Sequence, residues 1–281
     1  MRRFRCRAVF ILGLLLAVNT LADERLRIGV SPWTSGQLLK AWMDPVVNHI
    51  EHHGGVRYHF ASGNSLHEYL IRVAREEFDL ITIPMHMGLF LVEELGFIPL
   101  VFIRADVDVM IVTHSDSPYT TLADLNGVQI TVADPISITG LITESLLKDK
   151  GFEYSVNYLG HHWKLTDALI KRQIQVAPIV GNHVGVNSGK LSKKLRVLHR
   201  FPHRLDGLMM LNPKADAKTV KQLREILSSF SPASHSMIKK MDKVTEAELV
   251  QWQSWLAPFF PIIKQRMKAL DAKFAKEMGW E

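Results

Sequence analysis

From Leu26 onward the chain alternates short apolar runs with longer stretches of helical spacing. LRIGVS at 26–31 reads as a strand running into a turn at Pro32. Leu38, Leu39, Trp42, Val46, Val47 and Ile50 then fall near one face of a helix over 35–51. Residues 57–62 alternate as a second strand, 65–75 are amphipathic again, and FDLITIP at 78–84 is a nearly all-apolar third strand ending at a proline. Strand, helix, strand, helix, strand at this spacing predicts a mostly parallel sheet with crossover helices. The middle repeats the theme: strands at 107–113, 128–133, 154–159 and 176–180, a short helix at 122–127 closed by Gly127, and a helix running to Lys150. From Ala215 the pattern is mostly helical, at 220–230, 245–256 and 261–278, with Pro258 and Pro261 separating the last two.

Two α/β units without a flexible linker predict two facing lobes with a ligand cleft between them, at the carboxyl ends of the strands. The second unit reads as inserted in the first, so the expected division is 23–113 with 204–281 for lobe 1 and 114–203 for lobe 2. The hinge is then expected near 113–117 and 199–203. The loops to inspect follow Val30, Ile83, Ala133 and Leu159, at 31–35, 84–88, 134–140 and 160–163.

The first 22 residues belong to a different pattern. Arg2, Arg3, Arg5 and Arg7 precede an apolar run at 8–18 and then Thr20-Leu21-Ala22, the order of a cleavable secretory signal, and the run is too short to span a bilayer comfortably. Cleavage after Ala22 predicts a periplasmic protein without a lipid anchor, because Cys6 lies ahead of the apolar run. As Cys6 is the only cysteine, disulfide, thiolate-metal and thiol-nucleophile chemistry are excluded from the processed chain. The formal charge of +6 contains those four arginines and falls to +2 without them, which argues against a nucleic-acid partner. With 47% hydrophobic and 22% charged residues the chain can build a sizeable core.

Within ADPISITG at 133–140, Ser137, Thr139 and Gly140 stand where a strand hands over to a helix. Such hydroxyls either cap the helix, at about 1 kcal/mol, or help the free N–H groups and the positive dipole end to hold an anion. The turn by itself leaves both readings open.

Over residues 26–230 the chain resembles the phosphonate-binding family of periplasmic substrate-binding proteins of ABC importers. The resemblance is carried, in order, by RIGVSPW, EEFDLITIPMHMG, TTLADLNGVQITVADPISITG and HHWKLTDALIKRQIQVAPI, and the DLNG…S-x-T-G block is its most specific part. It implies the two-lobed type 2 periplasmic-binding-protein fold and capture of a small oxyanion of the phosphonate, phosphate or phosphite class. It also implies that Ser137 and Thr139 bind the oxyanion, with Gly140 in the same turn and one imidazole offered by the His161-His162 pair, His161 being the candidate contact. Departures are Gln175 for an aspartate, Arg172 for a glycine, and Ile83-Pro84-Met85 for a Gly-Pro stretch. The missing carboxylate at Gln175 argues against an amine-bearing ligand.

Ser31, Trp33 and His86 complete the candidate ligand contacts, all in the loops named above, with Trp163 as a second aromatic wall. Of the thirteen histidines, His49, His52 and His53 have the spacing of shared metal ligands but read as an exposed helix end before Gly54-Gly55, so no metal or cofactor is expected. Trp252, Trp255, Phe259 and Phe260 read as the packing face of a closing helix. No nucleophile elbow, H-E-x-x-H or phosphate-binding Gly-rich loop is present, so a binding protein and not an enzyme is expected. Its expected partner is an ABC permease, the alternatives being presentation of the ligand to a membrane sensor or metal binding, and the expected state is a monomer.

Overall fold

The computed structural model describes residues 26–55, 57–105, 107–181, 193–233 and 238–280; the segment 1–22, read from the sequence as a secretory signal, lies outside them. β1 (Leu26–Val30), α1 (Gly36–Gly54), β2 (Tyr58–Ser62), α2 (Leu66–Ala74), β3 (Leu80–Pro84), α3 (Met85–Leu95) and β4 (Ile98–Ala105) open the chain. β5 (Asp108–His114), β6 (Val128–Val132), α4 (Ile138–Asp149), β7 (Tyr154–Tyr158), α5 (His162–Ile170), β8 (Val176–Val180) and β9 (Leu195–Arg204) follow. The chain then returns through β10 (Gly207–Leu211), α6 (Ala217–Ser228), β11 (Ile238–Lys243), α7 (Glu246–Leu256), α8 (Phe260–Leu270) and α9 (Ala272–Glu277).

The first lobe is a six-stranded sheet in the order β11-β4-β10-β3-β1-β2. Its apolar faces are both covered. α1 and α6 close one side through Leu39, Val46, Ile50, Leu223 and Leu227, and α2, α3 and the C-terminal helices close the other through Leu70, Phe90, Phe260 and Phe274. α1 shows why the sequence folds this way: Leu39, Met43, Val46 and Ile50 recur on one face, and Gly55 ends the helix at φ +67, where a side chain would be strained.

The second lobe holds the three-stranded β8-β5-β9 sheet and the β6-β7 pair, with β6 beside β8. The α/β class and the two-lobed architecture stand, but among the described residues parallel pairing is confined to β2-β1-β3 and β6-β7. β10 and β11 pair antiparallel in the first sheet, as do β8 and β9 with β5 in the second. Pairing also puts β5, read from the sequence as the end of lobe 1, in the second sheet. The chain therefore passes between the sheets at 105–108 and 204–207, earlier and later than the expected 113–117 and 199–203.

Candidate functional site

All four inspected turns meet at one cavity of about 150 Å³ between the lobes. The turn after β1 supplies Ser31 and Trp33, and the end of β3 supplies Thr82, Ile83 and Pro84. The second lobe supplies Ile138 and Thr139 at the start of α4, His162 at the start of α5, and Val180 at the end of β8. Ile103, Ala105 and Val107 from one chain passage and Leu205, Asp206 and Gly207 from the other complete the wall.

Three helices begin at this cavity. Pro84 is the residue ahead of α3, Ile138 and Thr139 are the first two residues of α4, and His162 is the first of α5. The leading N–H groups of a helix have no intrahelical acceptor, and each helix start carries roughly half a positive charge. The N–H of Met85, opening α3, donates to the Asp206 carbonyl at 3.2 Å. Among the described lining residues there is no lysine or arginine. The helix starts thus turn positive dipole ends toward the site, which Ser31, Thr82 and Thr139, all at most 5% exposed, also line.

The one lining carboxylate is already held. Asp206 Oδ2 accepts from Arg104 Nη1 at 2.7 Å and Oδ1 from the Ala105 N–H at 3.4 Å. Arg104 also donates to Asp242 at 3.1 Å and Glu248 at 2.6 Å. This links both chain passages to β11 and α7.

The S-x-T-G turn divides its residues between capping and lining. Ser137 is fully buried, its Oγ accepts the Gly140 N–H at 3.4 Å, and it caps α4 without lining the cavity. Thr139, whose Oγ1 lies 3.4 Å from Ser137 Oγ, is among the lining residues. A Cβ on Gly140 would stand 3.2 Å from Ser137 Oγ and 3.4 Å from Val132, so the glycine lets α4 start close against β6.

The structure moves the histidines. His161 precedes α5 with its ring stacked 6.0 Å from Trp163, and burial, then Lys164, holds it below the ordinary histidine value. Its neighbour His162 reaches the cavity instead, a one-residue offset set by where α5 begins. His86, read from the sequence as a loop residue, is buried in α3. Its Nε2–H donates to the Ile136 carbonyl at 3.0 Å, and burial pushes it down to about 4, so it is a neutral strut outside the cavity lining. Trp33 does line the cavity and stacks on Trp42 at 4.6 Å, whereas Trp163 is 43% exposed and is not among the lining residues. Thr82 and Asp206 lie outside the residues the sequence singled out, whereas His162 belongs to the His161-His162 pair it offered. Thr82 was hidden within an apolar strand, and Asp206 lies between two strands the pattern did not reveal.

The His49 group is built into the helix end. His49 Nε2–H donates to the Ile226 carbonyl at 2.9 Å and His53 Nδ1–H to the His49 carbonyl at 2.9 Å. Among the described residues no group of three or more His, Cys, Asp or Glu is placed to hold a metal ion.

Comparison with known proteins decides the family. The model for the phosphonate periplasmic substrate-binding protein of ABC transporters matches residues 28–255. The chain belongs to this family. Its fold is similar to that of PhnD1 from Prochlorococcus marinus in complex with methylphosphonate (TM-score 0.71, 13% identity, 84% of this chain and 99% of that one). It is also similar to a binding protein component of an ABC phosphonate transporter from Pseudomonas aeruginosa (TM-score 0.70, 14% identity, 90% and 97%). A Xanthomonas citri protein bound to chloride ion is a third similar structure (TM-score 0.66, 15% identity, 87% and 98%). No curated protein matches the chain in sequence.

Membership makes the chain a periplasmic substrate-binding protein of the phosphonate transport type, the role of its family being to bind. The departures from the family pattern have physical readings. Gln175 Oε1 accepts the Tyr119 hydroxyl at 3.0 Å and lies outside the cavity lining. Arg172 sits at φ +60, the left-handed conformation that favours the family's glycine, and pairs with Asp116. The family match stops short of α8 and α9.

Proposed function

We propose that the interlobe cavity captures a short-chain phosphonate, its oxyanion head at the starts of α4 and α5 and its carbon substituent against Ile103, Val107, Val180 and Leu205. The observation that carries this reading is the convergence of three helix starts and buried hydroxyl-bearing residues on a small cavity with no lysine or arginine among its described lining residues. Helix starts neutralise a small anion without the hydration loss of a lysine. The apolar wall favours a carbon substituent over a fourth oxygen, so inorganic phosphate is expected to bind more weakly.

In this reading Thr139, Ser31 and the His162 imidazole donate to the oxygens and Trp33 walls the ligand. Ser137 and Gly140 shape the turn, while His161 and His86 stay outside. The lobes close about 105–108 and 204–207, and the chain, released by cleavage after Ala22, works as a periplasmic monomer that hands its ligand to an ABC permease. A thermal-shift panel of methylphosphonate, ethylphosphonate, phosphite, phosphate and sulfate tests it. Saturating alkylphosphonate should raise stability by about 2.7 kcal/mol at a hundredfold excess over Kd. A panel in which no oxyanion stabilises the protein, or sulfate does so best, contradicts it.

A further inference from the structure

Three consecutive residues just ahead of α4 are each gripped by a side chain from a different element of the first lobe. Asp134 Oδ2 accepts from His67 Nδ1–H of α2 at 2.9 Å. The Pro135 carbonyl accepts from Arg266 Nη1 of α8 at 2.6 Å, and the Ile136 carbonyl from His86 Nε2–H of α3 at 3.0 Å. Arg266 extends the grip into α4 itself, where it meets Glu144 in a two-pronged pair at 3.0 and 2.6 Å. The gripped segment follows β6 and leads to Thr139, so these bonds cross from one lobe to the other and end at the cavity wall.

The arm that carries Arg266 is fixed to the first lobe. Phe260 and Trp280 meet the edge of Phe90 of α3 at 5.7 and 5.1 Å, and Lys264 pairs with Glu94 at 2.6 Å. The arm lies beyond residue 255, where the family match ends. Pairs of this kind, with both side chains about four-fifths buried, are strongly geometry-dependent and are lost together when their partners separate.

We propose that His67 and Arg266 are positioning residues that form a latch on lobe closure: with His86 as a neutral strut, they fix the Asp134–Ile136 turn and, through it, the start of α4 against the ligand. The proposal rests on the two-lobe closing reading but not on the ligand's identity. It makes closure proton-linked. His67 faces Asp134, the Ser65 hydroxyl 3.3 Å from Nε2, and Glu68 of its own helix. Its hydrogen bond to Asp134 raises it above the ordinary histidine value against an opposing burial effect. The other titratable groups around Asp134 are His86 and His161, both held down by burial, and Tyr158, held up by it. A group raised in the closed form stabilises that form fully below its ordinary value and loses the contribution as pH rises through the raised one. The closed fraction should therefore be larger at pH 6 than at pH 8.

Spin labels on Lys40→Cys of α1 and Lys171→Cys, the residue that follows α5, in the Cys6→Ser chain without added ligand, read the interlobe distance by pulsed electron resonance. The short-distance population should grow from pH 8 to pH 6, and His67→Gln should abolish that growth. Arg266→Gln should lower the closed-to-open ratio by about fivefold or more. Glu144→Gln reads the same pair should Arg266→Gln fail to fold, and Arg266→Lys should restore only part of the ratio because an ammonium cannot make the two-pronged contact. Distributions unchanged across the folded variants, or a wild type that shows no short-distance population at either pH, overturn the latch. Because no ligand enters this experiment, its failure is separate from failure of the oxyanion panel.

Discussion

Ser137 and Thr139 stand two positions apart and are both fully buried, yet they answer to different forces. Ser137 Oγ satisfies an orphan N–H of α4, so Ser137→Ala should lower unfolding stability by about 1 kcal/mol in urea denaturation, with a smaller effect on ligand affinity. Of the two readings left open by the sequence, the structure shows the cap at Ser137, and the anion reading stays with Thr139 as part of the proposed function. What local pattern could not show is which of the two residues borders the cavity, because successive side chains at a helix start point about 100° apart. His86 gives a second residue-scale test. Its folded value of about 4 lies below the ordinary 6.5, so the unfolded chain binds the proton first and stability falls as pH drops from about 6.5 to 4. The loss should approach about 3 kcal/mol at the acid end. His86→Gln should flatten that limb of a pH–stability curve measured by chemical denaturation, and an unchanged limb would refute the assignment.

Elements with a clear period were legible and elements without one were not. α1, α2 and β1 to β3 follow the predicted alternation and spacing. α3 escaped notice because residues 85–91 are buried without interruption, which leaves no polar face to mark a helix. β9 and β11 escaped for the opposite reason. As edge strands they carry Pro202 and a run of lysines, residues that exposed edges tolerate and central strands exclude. The C-terminal helices were expected to close over the first lobe, and they do so through an aromatic cluster in which Trp280 meets Phe90 and Phe274 edge to face. Trp280→Ala should remove about 3–5 kcal/mol of stability, read as a shift of the urea midpoint. A change below about 1 kcal/mol would mean that α8 and α9 are peripheral to the core.

For the whole molecule, spacing predicted two α/β lobes and the four turns that meet between them, but not the strand order. Antiparallel β10 and β11 rejoin the first sheet only after the entire second lobe has been built, and no local period records a partner so far away in the chain. That return creates the second passage at 204–207 and brings Asp206 to the cavity under the control of Arg104. In the proposed function, helix starts, neutral hydroxyls and one imidazole hold an oxyanion between the lobes, with no lysine or arginine among the described lining residues. Titration calorimetry of methylphosphonate into wild type and Thr139→Val is the most direct measurement. One-to-one binding weakened by about 1.5–3 kcal/mol in the variant, with the unfolding midpoint little changed, is the predicted result. Equal affinity for the two proteins, or no binding to the wild type, would contradict it.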